Sequence, residues 1–314
     1  MTMLTPPAVR WHRPLAWLAI SMVGLALFCV VARFVDAREL LGVNVWEKPL
    51  KFAISTAVYS ITWSWLIGQL QRFRRAAWIA GTISTILLLV ELVIITGTAA
   101  AGTASHFNVS TGFATTLWAV MAASISTVWV AAFVVSVILF RNPLGDRARS
   151  LAIRSGAVLA LVGMGLAFLM TGPQGDQISD YRGVIGAHAV GVDDGGPGLP
   201  LLGWSTVGGD LRIPHFVGMH ALQIIPLALI LIELLARRVA ALRDVEVRLR
   251  LVLIVTVTYV LALAVLTWQA LRGQSIVQPD AATLAVAAII ALAALAAATV
   301  ALARRTTAVP DLAV

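Results

Sequence analysis

Eight long apolar stretches, separated by polar connections, dominate the chain. Each has about 20 residues or more, and a helix of that length crosses the roughly 30 Å of hydrocarbon in a bilayer. The pattern predicts an all-α fold: a polytopic membrane helix bundle of about eight transmembrane helices, forming a single transmembrane domain over residues 1–314. The predicted spans are residues 15–35, 49–68, 77–97, 113–140, 151–171, 214–236, 250–271 and 282–303.

The composition supports the membrane class. Hydrophobic residues make up 60% of the chain and charged residues 12%, and the mean hydropathy is +0.91. Soluble domains carry about 25% charged residues, so the lipid bilayer is the first predicted partner. The net charge of +8 does not indicate nucleic acid, because the arginines lie in short clusters between apolar runs.

The distribution of Lys and Arg predicts the orientation of the chain. Sixteen of these 23 residues lie in one alternating set of connections. The positive-inside rule places that set in the cytoplasm, and an even number of spans then places both termini there, in a bacterial inner membrane. The apolar run 15–35 is too long for a typical signal peptide, so we expect a retained first helix. His12, on the tail before it, is expected to be inert.

A Gly-rich outer loop, residues 172–213, joins the fifth and sixth predicted helices. Structureless loops longer than about 15 residues are usually functional or disordered. Apolar residues such as Leu199, Leu202 and Leu211 favour an ordered cap over the outer mouth, and disorder is the alternative.

Four of the five histidines lie on the predicted outer side. Histidine transfers protons near neutral pH and binds metals and haem, so His106, His188, His215 and His220 are candidate metal ligands. On a regular helix His215 and His220 lie about 140° apart, and chelation of one ion by both would require unwinding at Gly218. The alternative is that each histidine only hydrogen bonds the loop backbone.

Glu91 lies inside the third apolar stretch. An ionisable residue near the bilayer centre costs on the order of 2.5–3.5 kcal/mol, so we expect it to face the protein interior with a partner, either His220 or Lys51. Glu91 and His220 are the predicted catalytic pair. A structural hydrogen bond between helices is the alternative role for Glu91.

A second group of residues is predicted to bind a ligand. The only two lysines flank the start of the second helix, where they would bind an anionic group or snorkel to the interface. A glutamine three residues after His220 shares its helix face, and an acid, an arginine and a tryptophan lie in the outer loop. These residues are Lys48, Lys51, Gln223, Asp210, Arg212 and Trp204.

Three segments carry a resemblance to other proteins: Lys48-Pro49-Leu50-Lys51-Phe52, Ser105-His106-Phe107-Asn108 and the region from Gly196-Pro197-Gly198 to Met219-His220. Together they resemble a family of uncharacterised bacterial multi-pass integral membrane proteins. The resemblance covers most of the chain and implies the membrane class, without an activity or residue roles.

Three functional hypotheses remain open. The first is an outward-facing intramembrane site that binds a metal or haem for redox or hydrolytic chemistry. The second is a small-solute or proton-coupled transporter or channel, with a small-molecule ligand and Glu91 and His220 in its site. The third is a structural or assembly partner. Cys29 is the only cysteine, which forbids an internal disulfide and a Cys-based metal site. No Walker A, Rossmann or zinc-protease motif is present.

Overall fold

The computed structural model describes residues 10–173 and 175–303. Within these ranges the chain is helical apart from four two-residue strands and its connections. In order, the elements are α1 (Arg13–Val35), β1 (Glu39–Leu40), β2 (Val43–Asn44), α2 (Glu47–Gln69), α3 (Arg74–Ala100), α4 (Gly112–Phe140), α5 (Arg147–Leu166), a 3-10 turn (Ala167–Met170), α6 (Gly175–Ser179), β3 (Ala189–Val190), β4 (Gly209–Asp210), α7 (Arg212–Met219), α8 (Ala221–Leu235), a 3-10 turn (Ala240–Arg243), α9 (Val245–Leu271) and α10 (Ala281–Ala303).

Six of these helical segments are long and apolar enough to cross a membrane. They are α1, α3, α4, α5 with the 3-10 turn that follows it, α9 and α10, and the bent pair α7 and α8 would make a seventh. The chain is therefore a helical, multi-pass membrane protein, as its apolar pattern predicts. α2 falls outside this set because its first turn is charged and a row of polar residues, Thr56, Ser60 and Ser64, is buried along it.

The predicted span 214–236 contains a break between two helices. α7 and α8 meet at His220 with a bend of 48°. Pro226 lies inside α8, where it cannot donate a hydrogen bond to the carbonyl of Leu222 and its ring crowds that carbonyl. A proline of this kind favours a kink in the turn that precedes it.

The contacts between Cα atoms divide the chain into two compact units. Of the described residues, the first unit contains 10–143, 165–212 and 270–278, and the second contains 144–164, 213–269 and 279–303. The single domain predicted from the sequence remains a prediction.

Helices α1 to α4 of the first unit run alternately up and down. α1 packs along α2 and α3, and α3 packs along α4. At one end, which we call the arginine end, the Ser64 hydroxyl near the end of α2 donates to the carbonyl of His12 just before α1. At the other end, Arg33 near the end of α1 pairs with Glu47 at the start of α2.

The long connection after α5 lies on that second end, which we call the loop end. The hydroxyl of Tyr181 donates to the carbonyl of Val109 at 2.7 Å, and the backbone N–H of Ile185 donates to the carbonyl of Phe107 at 2.9 Å. β3 pairs with β4 in an antiparallel ladder, with Ala189 opposite Asp210. The loop thus brings its polar residues to the point where α2 begins and α3 ends.

The second unit is built from the first part of α5 with α7, α8, α9 and α10. Its core holds small residues of α5, such as Ala148 and Ala152, against Ile225 and Leu229 of α8 and Val252 of α9. Small residues allow close approach of helices in a membrane, where van der Waals packing replaces the hydrophobic effect as the driving force.

Candidate ligand site at the loop end of the first unit

Glu91 is the centre of the candidate site. Its side chain is buried in α3, with 4% of the residue exposed. Its Oε1 lies 3.9 Å from Nε2 of His106, and its Oε2 has no hydrogen-bond partner among the described residues. A buried polar atom without a partner costs about 1–3 kcal/mol, so this arrangement does not serve stability.

His106 follows α3 and is held in an aromatic cluster. Its ring lies 5.5 Å from that of Phe52 and 5.4 Å from that of Trp118, between ring centroids. Its Nδ1 lies 3.0 Å from the hydroxyl of Ser105. When that hydroxyl donates to Nδ1, the ring proton is on Nε2, the atom nearer to Glu91. Burial lowers the pKa of His106 well below its ordinary value of 6.5, and the nearby positive charges lower it further, so the ring is neutral at pH 7.

Lys48 carries a positive charge that acts on most of the ionisable groups of the site. It lies in the first turn of α2, partly buried. Its ammonium group interacts electrostatically with the ionisable groups of Glu91, His106, His188, Asp194 and Arg212. The charge of Lys48 therefore acts on the carboxyl group of Glu91, and the predicted pairing of Glu91 with Lys51 remains a prediction.

His188 and Asp194 form a dyad in the loop. Nδ1 of His188 donates to Oδ2 of Asp194 at 2.6 Å, and Asp194 also accepts the backbone N–H groups of His188 and Ala189. Burial lowers the pKa of His188 below 6.5, against the opposing effect of Asp194. Burial alone would raise the pKa of Asp194, but its bonds to His188 hold it well below 3.8. The ring of His188 packs 4.8 Å from that of Phe107, which joins the dyad to the aromatic cluster.

Two positively charged side chains, those of Lys51 and Arg212, hydrogen bond to the loop. Nζ of Lys51 donates to the carbonyl of Leu202 at 3.0 Å, and the guanidinium of Arg212 donates to the carbonyl of Gly203 and to the buried carboxylate of Asp210. Gly203 has a φ of +64°, a conformation that strains other residues. We call Lys51, Arg212 and Asp210 the loop latch.

The loop latch gives three of the predicted binding residues a structural role. Their polar atoms are occupied by protein partners, as ion pairs and carbonyl contacts. Trp204 is partly buried beside them, and its backbone carbonyl accepts from the N–H of Leu199 at 2.8 Å. Ligand binding by these residues remains a prediction.

The remaining predicted residues lie in the second unit. Nδ1 of His215 donates to the carbonyl of Gly163 at 2.8 Å, and Nδ1 of His220 lies 3.3 Å from Oε1 of Gln223. His220 and Gln223 therefore share a face. The predicted pairing of His220 with Glu91 would join the two units and remains a prediction.

The structure does not gather the histidines into a ligand set. Within the described ranges, no group of three or more His, Cys, Asp or Glu side chains is placed to hold a metal ion. His106 and His188 contact the same aromatic ring, that of Phe107, but each engages its own polar partner.

His12 was missed by the sequence analysis. It is only 2% exposed and caps α1: its Nδ1 accepts from the N–H of Leu15, and its Nε2 donates to the carbonyl of Trp78 at 3.0 Å. His12 is therefore a buried helix cap rather than part of a free tail, and its chemical inertness remains a prediction. Pro14, just inside the helix, is the sequence signal for a helix start at this point.

Comparison of the chain with protein-family models, with curated proteins and with solved structures gives no match. The geometry of the site is therefore the basis on which a function can be assigned. That geometry combines an acceptor oxygen without a partner, a neutral imidazole and an ammonium group at one end of a helix bundle.

Proposed function

We propose that the chain is a membrane-embedded binding protein for a small polar solute, held between Glu91 and His106. The observation that carries the proposal is the buried Oε2 of Glu91 without a hydrogen-bond partner among the described residues. A ligand with a hydroxyl or amine group would satisfy this oxygen. A ligand hydroxyl about 2.8 Å from Oε1 could donate to that oxygen and accept from the N–H at Nε2 of His106, since those two atoms are 3.9 Å apart.

The charges suit a solute of mixed polarity. Glu91 accepts hydrogen bonds, and Lys48 offers a positive charge to an anionic part of the same molecule. The aromatic rings of Phe52 and Trp118 would cover its apolar part.

The test uses an apolar carbodiimide, which modifies protonated carboxyl groups in apolar surroundings. We expect the full chain in detergent micelles to be modified at Glu91, as measured by peptide mass spectrometry. A panel of amino acids, polyols, amines and organic acids is then screened for a compound that slows this modification. Glu91→Gln removes the signal.

Glu233→Gln is the matched control. Its carboxylate already pairs with Arg149, with an oxygen 2.8 Å from Nε, so this variant should leave the Glu91 modification and its protection unchanged. An unreactive Glu91, or a modification that no class of compound slows, would contradict the proposal.

A transporter is the second candidate function, and the bend between α7 and α8 favours it. Discontinuous helices commonly build the substrate sites of transporters. Here a 48° break lies beside His220 and Gln223.

To test transport, the purified chain is placed in liposomes loaded with a pH-sensitive dye. Proton movement should follow when a compound that protects Glu91 is added. His220→Gln should abolish that movement while leaving protection of Glu91 intact. If neither compound nor proton moves, the chain binds without transport.

We also propose eight crossings, with both termini in the cytoplasm of a bacterial inner membrane. α2 has 23 residues, long enough to add a crossing to the six apolar segments and the bent pair. The arginines at the start of α1 and α3 would then lie inside. Reporter fusions at the α4–α5 connection and after β2 test this: a cytoplasmic reporter should be active only at the first position. Activity at the second position alone would reverse the orientation.

A further inference from the structure

A cavity of about 750 Å³ opens at the arginine end of the first unit, where α1 and α3 begin. Seventeen positions separate Arg74 from Glu91, which corresponds to about 25 Å along α3. The cavity is thus separate from the candidate ligand site. Its lining residues are Arg10, Trp11, His12, Arg13, Pro14, Ile67, Gly68, Arg74, Arg75 and Trp78.

Gly68 forms part of the cavity wall, at a position where the packing leaves no room for a larger residue. A Cβ atom at Gly68 would lie 1.9 Å from the carbonyl oxygen of Arg10, so the segment before α1 can lie against α2 only because position 68 is glycine. His12 bonds to the backbone of α1 and α3, and its own N–H donates to the carbonyl of Ser64 at 3.2 Å. These contacts fix the backbone that carries Arg10 and Arg13 against α2 and α3.

The cavity carries uncompensated positive charge. The four arginines that line it make no ion pair or side-chain hydrogen bond with any described residue. No Asp or Glu occurs in residues 10–35 or 48–90. α1 and α3 both begin here, and the partial positive charge of a helix N-terminus also attracts anions. At α3 the N-cap residue, Phe73, makes no side-chain cap bond.

Two tryptophans give the cavity an amphipathic rim. Trp11 is 45% exposed and Trp78 is 50% exposed, on the face where lipid would lie. Tryptophan prefers the boundary between headgroups and hydrocarbon. The cavity thus combines arginines that can bind phosphate with tryptophans that can pack against acyl chains.

We propose that this cavity binds the phosphate headgroup of an anionic phospholipid, which goes beyond the proposed solute site. The positive-inside rule accounts for arginines at this end but does not require a cavity around them. Basic pockets between helices are a known way of holding anionic headgroups. The arginines supply the charge and hydrogen bonds, and the rim selects a lipid over a free anion.

The experiment titrates the full chain in detergent with phosphatidylglycerol or phosphatidylcholine and counts bound lipids by native mass spectrometry. Both lipids carry a phosphodiester, but only the first has a net negative charge. Arg74→Gln with Arg75→Gln removes two lining arginines. Arg237→Gln with Arg238→Gln is the matched control, an adjacent arginine pair that does not line the cavity.

We expect one phosphatidylglycerol to bind at least tenfold more tightly than phosphatidylcholine. The lining double variant should weaken that binding by roughly 25-fold, about fivefold for each arginine, and the control pair should leave it unchanged. Thermal unfolding in phosphatidylcholine should be the same for all three chains, since Arg74 and Arg75 are exposed. Equal binding of both lipids, or equal loss in both double variants, would overturn the proposal. Complete displacement by millimolar inorganic phosphate would overturn it in favour of a free anion.

Discussion

Nε2 of His106 lies 3.9 Å from Oε1 of Glu91, too far for a hydrogen bond, while Oε2 of Glu91 lacks a partner among the described residues. A carboxylate that served only to join helices would be fully bonded. The unpartnered Oε2 gives Glu91 a cost in stability that a ligand donating a hydrogen bond to it would offset.

Replacing Glu91 by leucine should therefore stabilise the protein. The change removes a buried oxygen without a partner and leaves apolar surface, and we expect a gain of about 1–3 kcal/mol in the free energy of unfolding. Thermal unfolding in detergent measures this. Glu91→Gln, which keeps the shape and the polarity, should gain less. A strong loss of stability in Glu91→Leu would instead support the structural role.

Breaking the loop latch should have the opposite effect. In Arg212→Met the carboxylate of Asp210, whose side chain is fully buried, loses its ion pair, and we expect a loss of about 3 kcal/mol. Faster proteolysis within residues 177–210, with the helices intact, would locate the change. Arg212→Lys keeps the charge without the fork of two bonds and should lie between wild type and Arg212→Met. Wild-type protease resistance in Arg212→Met would contradict the assignment.

The loop end should lose stability as the pH falls below about 6.5. The pKa values of His106 and His188 are lower in the folded chain than in the unfolded chain. Below pH 6.5 the unfolded chain therefore binds more protons than the folded chain, and the free energy of unfolding decreases as the pH decreases. The loss continues down to the folded pKa values, at about 1.4 kcal/mol for each unit of depression. Asp194, with a depressed pKa, contributes stability that is lost only below about 3.8.

Hydrogen exchange of residues 185–190 at pH 8, 7, 6 and 5 measures this dependence, after correction for the intrinsic exchange rate. His106→Gln and His188→Gln should each flatten it. Protection that increases toward pH 5 would show that the sign is wrong.

The second unit depends on a close backbone contact between α5 and α7. A Cβ atom at Gly163 would lie 2.1 Å from the backbone N of Met219, so Gly163→Ala must push the helices apart. We expect a loss of about 2 kcal/mol or more, in the range found for overpacked cores. Gly24→Ala is the control, since a Cβ there meets nothing within 4 Å, and should stabilise α1 by about 0.5–1 kcal/mol. Equal melting of the two variants would contradict the contact.

The helices could be predicted from the sequence because lipid demands long apolar runs with internal hydrogen bonding. The predicted run 113–140 and α4 (Gly112–Phe140) differ by one residue. The break at His220 was not predicted. Two features accompany it: Pro226 lies six residues later in α8, and Gly218 packs closely against Gly163. Only the first of these is visible in the local sequence.

The candidate site was predicted in part. Burial of Glu91 follows from its apolar neighbours, but its nearest histidine does not, because His106 reaches it only through the turn after α3. Lys51 donates to Leu202 across 151 positions of sequence, a contact set by the fold of the loop. Comparable depth from the outer side favoured Lys51 and His220 as partners of Glu91, and both pairings remain predictions. In the structure Nε2 of His106 lies 3.9 Å from Oε1 of Glu91, and the charge of Lys48 acts on the same carboxyl group.

Cys29 has a practical consequence for studying this protein. It is the only thiol in the chain, it has no exposed surface, and it packs against Val45, Trp46 and Leu50. A cysteine introduced at a surface position would therefore be the only one that reacts with a spin label or fluorophore. Cys29 therefore does not need to be replaced before labelling. Pairs of labels on the connections between helices could report distances and motions in the otherwise natural sequence.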